Sequence, residues 1–353
     1  MREKQKKVFV AMSGGVDSSV AALLLQKEGY DVTGVFMKVW QPDFIPCSAE
    51  DDRRDAMRVA VKLGIPFETW NFEKEYKRDV VEYLIGEYRA GRTPNPDVMC
   101  NRHIKFGVFL REALRRDADC IATGHYGRVR EDREGFHLLA GVDTNKDQSY
   151  FLYTLGQEEL SRTLFPVGDY TKPEIRHLAR RAGLSTAEKK DSQGLCFIGK
   201  LDMREFLSRY IEPNSGAVLD AEGGVIGKHE GAAYYTLGQR HGFRTYAQTP
   251  HQSPYYVVAK DIGSNTLTVV HSLKATEREV SLRDVRWTLR PPSTEKRHAA
   301  RTRYRQKLEP CTVRVGSSAD AMVTFEKPPA IIPSGQSLVL YDGEECVGGG
   351  VIS

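Results

Sequence analysis

What the chain lacks sets the first limits. No apolar run in its 353 residues approaches the roughly 18 to 20 needed to span a bilayer. The opening MREKQKK leads straight into a short apolar stretch without a signal-type h-region, so export and membrane insertion are not expected and the protein is assigned to the cytoplasm. The six cysteines (Cys47, Cys100, Cys120, Cys196, Cys311, Cys346) include no CxxC pair and no histidine at zinc-finger spacing. That argues against structural zinc or an iron–sulfur cluster, and leaves any cysteine with a role as a reactive thiol rather than a staple. There is no internal repeat, no low-complexity tract and no heptad, and a monomer is expected. Nor is there a large charge excess: 51 basic against 47 acidic residues give +4. The distribution says more than the total, because Arg290 to Lys307 holds seven Lys/Arg against one Glu, a local +6 that leaves the rest at −2.

With 40% hydrophobic and 28% charged residues the composition is that of a globular protein, and 353 residues exceed one core of usual size. Two or three domains are expected. From Val8 to about Val142, short apolar runs alternate with amphipathic stretches. KVFVAM, DVTGVFMKVW, IPFETWNF and DCIATGHYGRV read as strands, with helices between them, which implies a doubly wound parallel sheet over residues 1–145. Residues 146–212 read as mainly helical, with PEIRHLARRAG and LDMREFLSRYI the clearest segments. Residues 213–353 break into alternating strands separated by Gly, Asn-Thr and Asp-Gly turns, the texture of one or two small β-barrels.

Three motifs carry chemistry. SGGVDSS, Ser13 to Ser19, lies between the first strand and the first helix, where two glycines, serine hydroxyls and a helix N-terminus make an anion cradle. It lacks the GK[ST] of a Walker A loop and the spacing of GxGxxG. RTPNPDVMCNRHIKF, Arg92 to Phe106, puts Asp97 three residues before Cys100 near a helix start. A carboxylate disfavours a neighbouring thiolate, so Asp97 reads as an acid or base acting on substrate and not as an activator of Cys100. KDSQGLCFIGK, Lys190 to Lys200, sets Cys196 among lysines that would favour a thiolate. Taken singly, either cysteine reads equally as a small buried hydrophobe. AEDDRRDAMR reads as a solvated helix face with i, i+3 and i, i+4 charge pairs. The other four cysteines read as structural, and Trp40, Trp70 and Trp287 as core. In RHAARTRYRQK, Arg301, Arg303, Arg305 and Lys307 alternate with Thr302, Tyr304 and Gln306, so a strand would place four cations on one face.

SGGxDS after an N-terminal strand resembles the PP-loop of the ATP pyrophosphatase superfamily. Together with TPNPDVMCNRHIKF, ATGHY, KDQSYFL, DSQGLCFIG, YTLGQR and GQSLVLYDGEECVGGG, in that order from residue 8 to 351, it resembles the tRNA-specific 2-thiouridylase family along essentially the whole chain. The resemblance implies an ATP-binding catalytic domain, a central domain carrying the second cysteine, and a β-barrel region for tRNA. It implies ATP contacts from Ala11, Met12, Ser13, Gly14, Gly15, Val16, Asp17 and Ser18, with Met37 and Gly124 at strand ends near the adenine. Cys100 would be the nucleophile, Cys196 the persulfide carrier and Asp97 the acid/base. Asn95, Pro96 and Asp97 would meet the target uracil, while His125, Lys146, Asp147, Gln148, Arg303, Tyr304 and Gln336 would touch tRNA. Asp17 would help hold Mg²⁺ beside the phosphates. A persulfide-carrying sulfur donor protein is the implied partner.

Two other functions fit parts of the pattern. A PP-loop synthetase acting on another acceptor would have no reason for the Cys100 and Cys196 pair or for a basic β tail. A non-catalytic RNA-binding module would have no chemical need for Asp17, Asp97, Cys100 and Cys196 together.

Overall fold

A computed structural model of the chain describes residues 5–44, 49–190, 202–246, 253–273, 277–293, 296–316, 319–329 and 331–353. Cys47 and Cys196 lie outside these residues, as does the whole DSQGLCFIG motif.

The first sheet comprises β1 (Lys7–Ala11), β2 (Asp31–Lys38), β3 (Phe67–Asn71), β4 (Cys120–Ala122) and β7 (Thr163–Leu164) in the order β3-β2-β1-β4-β7, and every pairing is parallel. Parallel strands need crossovers, and helices α1 (Val16–Lys27) and α2 (Ala49–Leu63) supply the first two. Gly29, at φ +88°, turns the chain out of α1. Because β2 lies on one side of β1 and β4 on the other, the order reverses at β1/β4. In open α/β sheets the crevice at such a switch point is where ligands bind.

The solvated face of α2 forms as its spacing predicts: Arg53, Arg54 and Arg58 pair with Glu50, Asp51 and Asp55 at i, i+3. Two longer helices contain wide π-helical segments, Lys77–Val81 in the run from Glu73 and Cys100–Val108 in the run from Pro96.

The stretch DCIATGHYGRV is not one strand. It divides into β4 and β5 (Gly127–Asp132), which belong to different sheets. Gly124 lies against the first turn of α1, so the chain leaves the first sheet there. β5 then pairs with β6 (Gly135–Ala140) as a hairpin that joins the C-terminal sheet through β18. After the hairpin, β7 returns to the first sheet, and the Lys172–Arg181 helix buries Ile175 and Ala179 in one cluster with Val20, Ala21 and Leu24 of α1.

A second sheet is built from β8 (Gly216–Leu219), β9 (Val225–His229), β10 (Arg244–Thr245), β11 (Tyr256–Asp261) and β12 (Thr266–Val270), ordered β10-β9-β8-β12-β11. The third has β13 (Glu279–Trp287), β14 (His298–Arg301), β15 (Glu309–Val315), β16 (Ala321–Phe325), β17 (Ser337–Asp342) and β18 (Glu345–Ile352). β13 pairs with both β16 and β18, which closes these six antiparallel strands into a barrel with no free edge. Its interior is filled by Val280, Leu282, Val313, Val323, Phe325, Leu338 and Leu340.

The alternating-cation strand over 301–307 does not form. β14 stops at Arg301, the Gln306 side-chain oxygen accepts from the Thr302 amide and hydroxyl (3.1 and 2.9 Å), and Arg305 takes a left-handed φ of +63°. Arg301 turns inward instead, donating to Asp147 Oδ2 and to the Tyr341 hydroxyl, both at 2.6 Å. Arg303, Arg305 and Lys307 stay exposed on the turn.

Side-chain exposure is 9% for Arg301 and 8% for Asp147, so removing one partner strands the other charge in the interior. Arg301→Ala is expected to destabilise the fold by about 3 kcal/mol or more. A urea titration checks this, and an unchanged midpoint would show that the pair contributes nothing.

Candidate active site

Between β1 and α1 the backbone turns through Ser13, Gly14 and Gly15. Gly14 has φ +74°, and a Cβ there would overlap the Asp52 carbonyl of α2. Gly15 is the N-cap of α1 and supplies no side-chain cap, which leaves the helix's N-terminal donors without a cap from that position. Ser18 instead braces the loop itself: its Oγ accepts from the Ser13 amide (3.2 Å) and donates to the Gly15 carbonyl (3.2 Å). Ser19 Oγ donates to the same carbonyl at 2.7 Å and accepts from Thr186 Oγ1 at 3.0 Å. The result is a preformed anion cradle at the switch point. Ala11, Met12, Val16 and Met37 are buried around it. Gly124 packs so closely that a Cβ would stand 2.6 Å from the Ser18 amide nitrogen.

Asp17 is committed elsewhere. Lys172 donates to both of its carboxylate oxygens at 2.7 Å, and the Tyr126 hydroxyl donates to Oδ1 at 2.7 Å. Among the described residues no group of three or more His, Cys, Asp or Glu could hold a metal. The residues at the loop therefore fit the phosphates of a nucleotide but not a protein-built Mg²⁺ site. What Asp17 does here is fix a lysine beside the cradle. Neither Lys172 nor Tyr126 was visible as a partner in the sequence, since they lie 155 and 109 positions from Asp17. The one local signal is the Thr171 and Glu174 capping box that starts the Lys172 helix.

The TPNPD segment enters its helix through Asn95, whose side chain accepts from the Val98 amide. Pro96 occupies the first helical turn, Asp97 is half-buried, and Cys100 is fully buried where the helix widens into its π segment. Asn101 donates to the Phe151 carbonyl at 2.9 Å, which joins this helix to the KDQSYFL motif.

That motif holds the centre of the site. Asp147 is buried and accepts from the amides of Gly141 and Ser149 and from Arg301, so its side chain faces protein on every side. Gln148 and Tyr126 exchange hydrogen bonds: the Gln148 amide donates to the Tyr126 carbonyl, and the Gln148 side chain accepts from the Tyr126 amide. The Tyr150 hydroxyl reaches the carbonyls of Ser337 (2.8 Å) and Thr302 (3.2 Å) and also bonds Asn95. Tyr304 packs its ring 4.6 Å from that of Phe151. From the other side, Gln336 donates to the carbonyls of Thr93 and Pro94 (3.2 and 3.1 Å), and Thr93 meets Thr236 of the YTLGQR motif at 3.3 Å. Arg303 donates to the Leu237 carbonyl at 3.1 Å. A cleft of about 280 Å³ opens beside this clamp, lined by Thr236–Gln239, Arg303, Pro333 and Gln336. Asn95, Pro96, Asp97, Lys146, Asp147, Gln148, Arg303, Tyr304 and Gln336 thus belong to one connected region.

Three of the remaining cysteines are unsuited to thiolate chemistry. Burial, aided by Asp119, pushes the Cys120 thiol up to about 11; burial and Glu326 push Cys311 to about 12; and Cys346 is raised further by the same loss of water.

The architecture defines a class: a nucleotide-binding α/β unit with an anion loop at its switch point, joined to two β units that hold its Thr93–Asn95 segment. Family models agree with this division. Residues 6–200 match a model described as a tRNA methyl transferase HUP domain, 204–271 its PRC-barrel domain, and 277–352 an aminomethyltransferase β-barrel domain. Curated relatives named tRNA-specific 2-thiouridylase MnmA include that of Streptococcus sanguinis, 49% identical over 98% of this chain and 95% of the relative. The relative from Xanthomonas campestris is 48% identical over 98% and 93%. The chain belongs to the tRNA-specific 2-thiouridylase (MnmA) family, a family of tRNA sulfurtransferases. Among solved structures it is similar to the U34-tRNA thiolase NcsA of Methanococcus maripaludis, at TM-score 0.37 and 17% identity over 58% of this chain and 63% of that one. It is also similar to a 4-thiouridine synthetase in an RNA complex with bound ATP, at TM-score 0.35 and 21% identity over 58% and 50%.

Because Gly124 abuts the α1 N-terminus through backbone atoms, Gly124→Ala should force the two apart at a strain of about 1–3 kcal/mol. ATP affinity, measured by equilibrium dialysis, is expected to fall about tenfold or more while the thermal midpoint moves only a few degrees. Wild-type affinity would mean that the close approach plays no part in nucleotide binding.

Proposed function

We propose that this chain makes 2-thiouridine at the anticodon wobble position of tRNA, using ATP and a sulfur atom carried as a persulfide on Cys196. The observation that carries the reading is the convergence around Tyr150. The segment bearing Asp97 and Cys100, the KDQSYFL motif and the basic 301–307 turn come from separate stretches of sequence, yet all meet there.

A uracil C2 oxygen is a poor leaving group. Its attack on the α-phosphate of ATP forms an O2–P bond, expels pyrophosphate and, with loss of the N3 proton to Asp97, turns that oxygen into part of AMP. The terminal persulfide sulfur then reaches C2 by one of two routes. It attacks directly, after which Cys100 takes the inner sulfur, or it arrives as hydrosulfide freed when Cys100 attacks Cys196 first. Either way AMP departs and a Cys100–Cys196 disulfide remains. The chain's own residues cradle the phosphates at Ser13–Ser18, hold Thr93 and Pro94 just ahead of Asn95–Asp97 through Gln336 and Thr236, and present Arg303 and Tyr304 to the RNA backbone and bases. Mg²⁺ enters this scheme as the companion of the triphosphate. A persulfide-carrying donor protein would reload Cys196, and the reaction is assigned to the cytoplasm.

Purified protein incubated with unmodified tRNA, ATP, Mg²⁺ and a persulfide donor should yield a uridine in which one oxygen is replaced by sulfur, detected by nucleoside mass spectrometry. Pyrophosphate release without any thiolated nucleoside would transfer the function to a synthetase of another acceptor. Cys196→Ser should abolish thiolation yet leave pyrophosphate release near the wild-type rate; thiouridine formed at a normal rate would remove Cys196 from the mechanism. Arg303→Ala should weaken tRNA binding and lower its salt dependence by about one counterion. An unchanged salt slope would make that turn an ordinary charged loop.

A further inference from the structure

After the Lys172–Arg181 helix the chain runs to Lys190 against α1 and α2. Leu184 and Ala187 are buried in the cluster that holds Val16 and Val20 of α1 and Ala56 and Val59 of α2. Polar contacts hold what this packing begins. Arg176, on the preceding helix, donates to the carbonyls of Ala187 (2.7 Å) and Lys189 (3.0 Å). Thr186 donates to Ser19 Oγ at 3.0 Å, and Ser19 in turn donates to the Gly15 carbonyl of the anion loop. Lys189 completes the series, its Nζ donating to Asp52 Oδ1 and to Asp55 Oδ2, both at 2.7 Å.

Two of these contacts lead to the anion loop. Thr186 reaches it through Ser19, and Asp52, which receives Lys189, is also the residue whose carbonyl a Cβ on Gly14 would overlap. The loop and the 184–190 stretch therefore share one support. The side chains of Lys189, Asp52 and Asp55 are only half-buried, and ion pairs in such surroundings add little to global stability. What this one settles is placement. Cys196 follows Lys189 by seven residues, which extended chain covers in at most about 25 Å. The tie at Lys189 thus fixes the origin of the segment that carries the persulfide cysteine.

We propose that Lys189 is a positioning residue for sulfur transfer, holding the origin of the Cys196 segment in register with the phosphate loop. The inference rests on the function proposed above. Adenylation consumes uracil O2 and ATP but no sulfur, so a residue that acts only on the Cys196 segment leaves that step running. In the transfer a C2–S bond forms, and the C2–O2 bond breaks with its electron pair leaving on AMP. The S–S bond of the persulfide breaks as the Cys100 and Cys196 sulfurs join, and the protons of the persulfide and of Cys100 are given up, so no outside oxidant is needed. Both thiols belong to one chain, and the rate follows the effective concentration of the persulfide at C2, which an anchored origin raises. An adenylate that waits is lost to water.

The test takes full-length protein, loaded with sodium tetrasulfide and desalted, through one turnover with unmodified tRNA, ATP and Mg²⁺. Pyrophosphate and thiouridine are read on the same sample, and Cys196→Ser treated identically sets the background. Lys189→Met is expected to release pyrophosphate within about twofold of the wild-type rate while thiouridine formed per pyrophosphate falls about tenfold. Lys189→Arg, whose guanidinium can serve both carboxylates, should recover most of that yield. Asp52→Asn/Asp55→Asn removes the same contacts from the α2 side and should reproduce the defect, and adding Lys189→Met to it should make it no worse. Thermal melts confirm that each variant is folded. A wild-type ratio in Lys189→Met overturns the inference, as does an equal loss of both products, which would make Lys189 a support of the nucleotide loop alone. Wild-type protein that yields no pyrophosphate or no thiouridine overturns the functional reading itself, and the two failures are thereby distinguished.

Discussion

The buried ion pair between Arg301 and Asp147 is the contact on which the site's assembly depends. Asp147 collects the Gly141 and Ser149 amides with one oxygen and the Arg301 guanidinium with the other. It therefore shapes the loop that carries Tyr150 and anchors that loop to the closed barrel. Arg301 also lies over the Tyr341 and Tyr150 rings, 4.8 and 5.6 Å from their centroids. A pair this deep is weak evidence for net stability, because desolvation offsets much of the attraction. Its consequence is register. With the loop held, Tyr150 reaches Asn95, Thr302 and Ser337 together, and the TPNPD segment, the exposed basic turn and the barrel edge come to share one hydroxyl.

The nucleotide side follows from a different constraint, close approach of backbone to backbone. The parallel sheet opens its crevice between β1 and β4, and the loop at one strand end and Gly124 at the other are brought together without intervening side chains. Lys172 and Tyr126 close on Asp17 from outside the loop. Electrostatics and sterics thus converge on α1's first turn, while the residues proposed to meet RNA, Arg303, Tyr304 and Gln336, gather beside the Thr236–Gln239 segment. The helix beginning at Pro96 starts beside the clamp with Asp97 and Cys100, and further along it Lys105 meets His125, the residue after Gly124.

Local features were legible in the sequence. The 3.6-residue periodicity of α2, the stop at Gly29, the Gly14 turn and the strand texture beyond residue 213 each reflect chemistry confined to a few neighbours. Features settled at long range were not. The β5–β6 hairpin reads as a continuation of the α/β pattern, yet its partner is a strand some 200 positions further on. Arg301 reads as one of four alternating cations, yet a buried carboxylate 154 positions away claims it and ends the strand. The hydrogen bonds of His125 to Thr123 and Lys105 were likewise not visible in the sequence. Family resemblance supplied the list of site residues; geometry adds the partners of Asp17, Asp147, Gln148 and Gln336 within the protein.

Thiol chemistry in this chain is confined by placement rather than by scarcity of cysteine. Cys120, Cys311 and Cys346 are held as neutral thiols by their surroundings, and none has a counter-cation close enough to reverse that. Cys100 is equally buried, but at the start of a helix whose first residues form the proposed base site. Burial there suits the proposed reaction in a second way. An O2-adenylated uridine exposed to water would hydrolyse back to uridine and AMP, so sulfur must meet C2 where water is excluded. On the proposed mechanism that exclusion falls to the protein around Cys100, where Gln336 and Thr236 hold Thr93 and Pro94 just ahead of its helix, and Phe106, further along the helix, packs on Phe165.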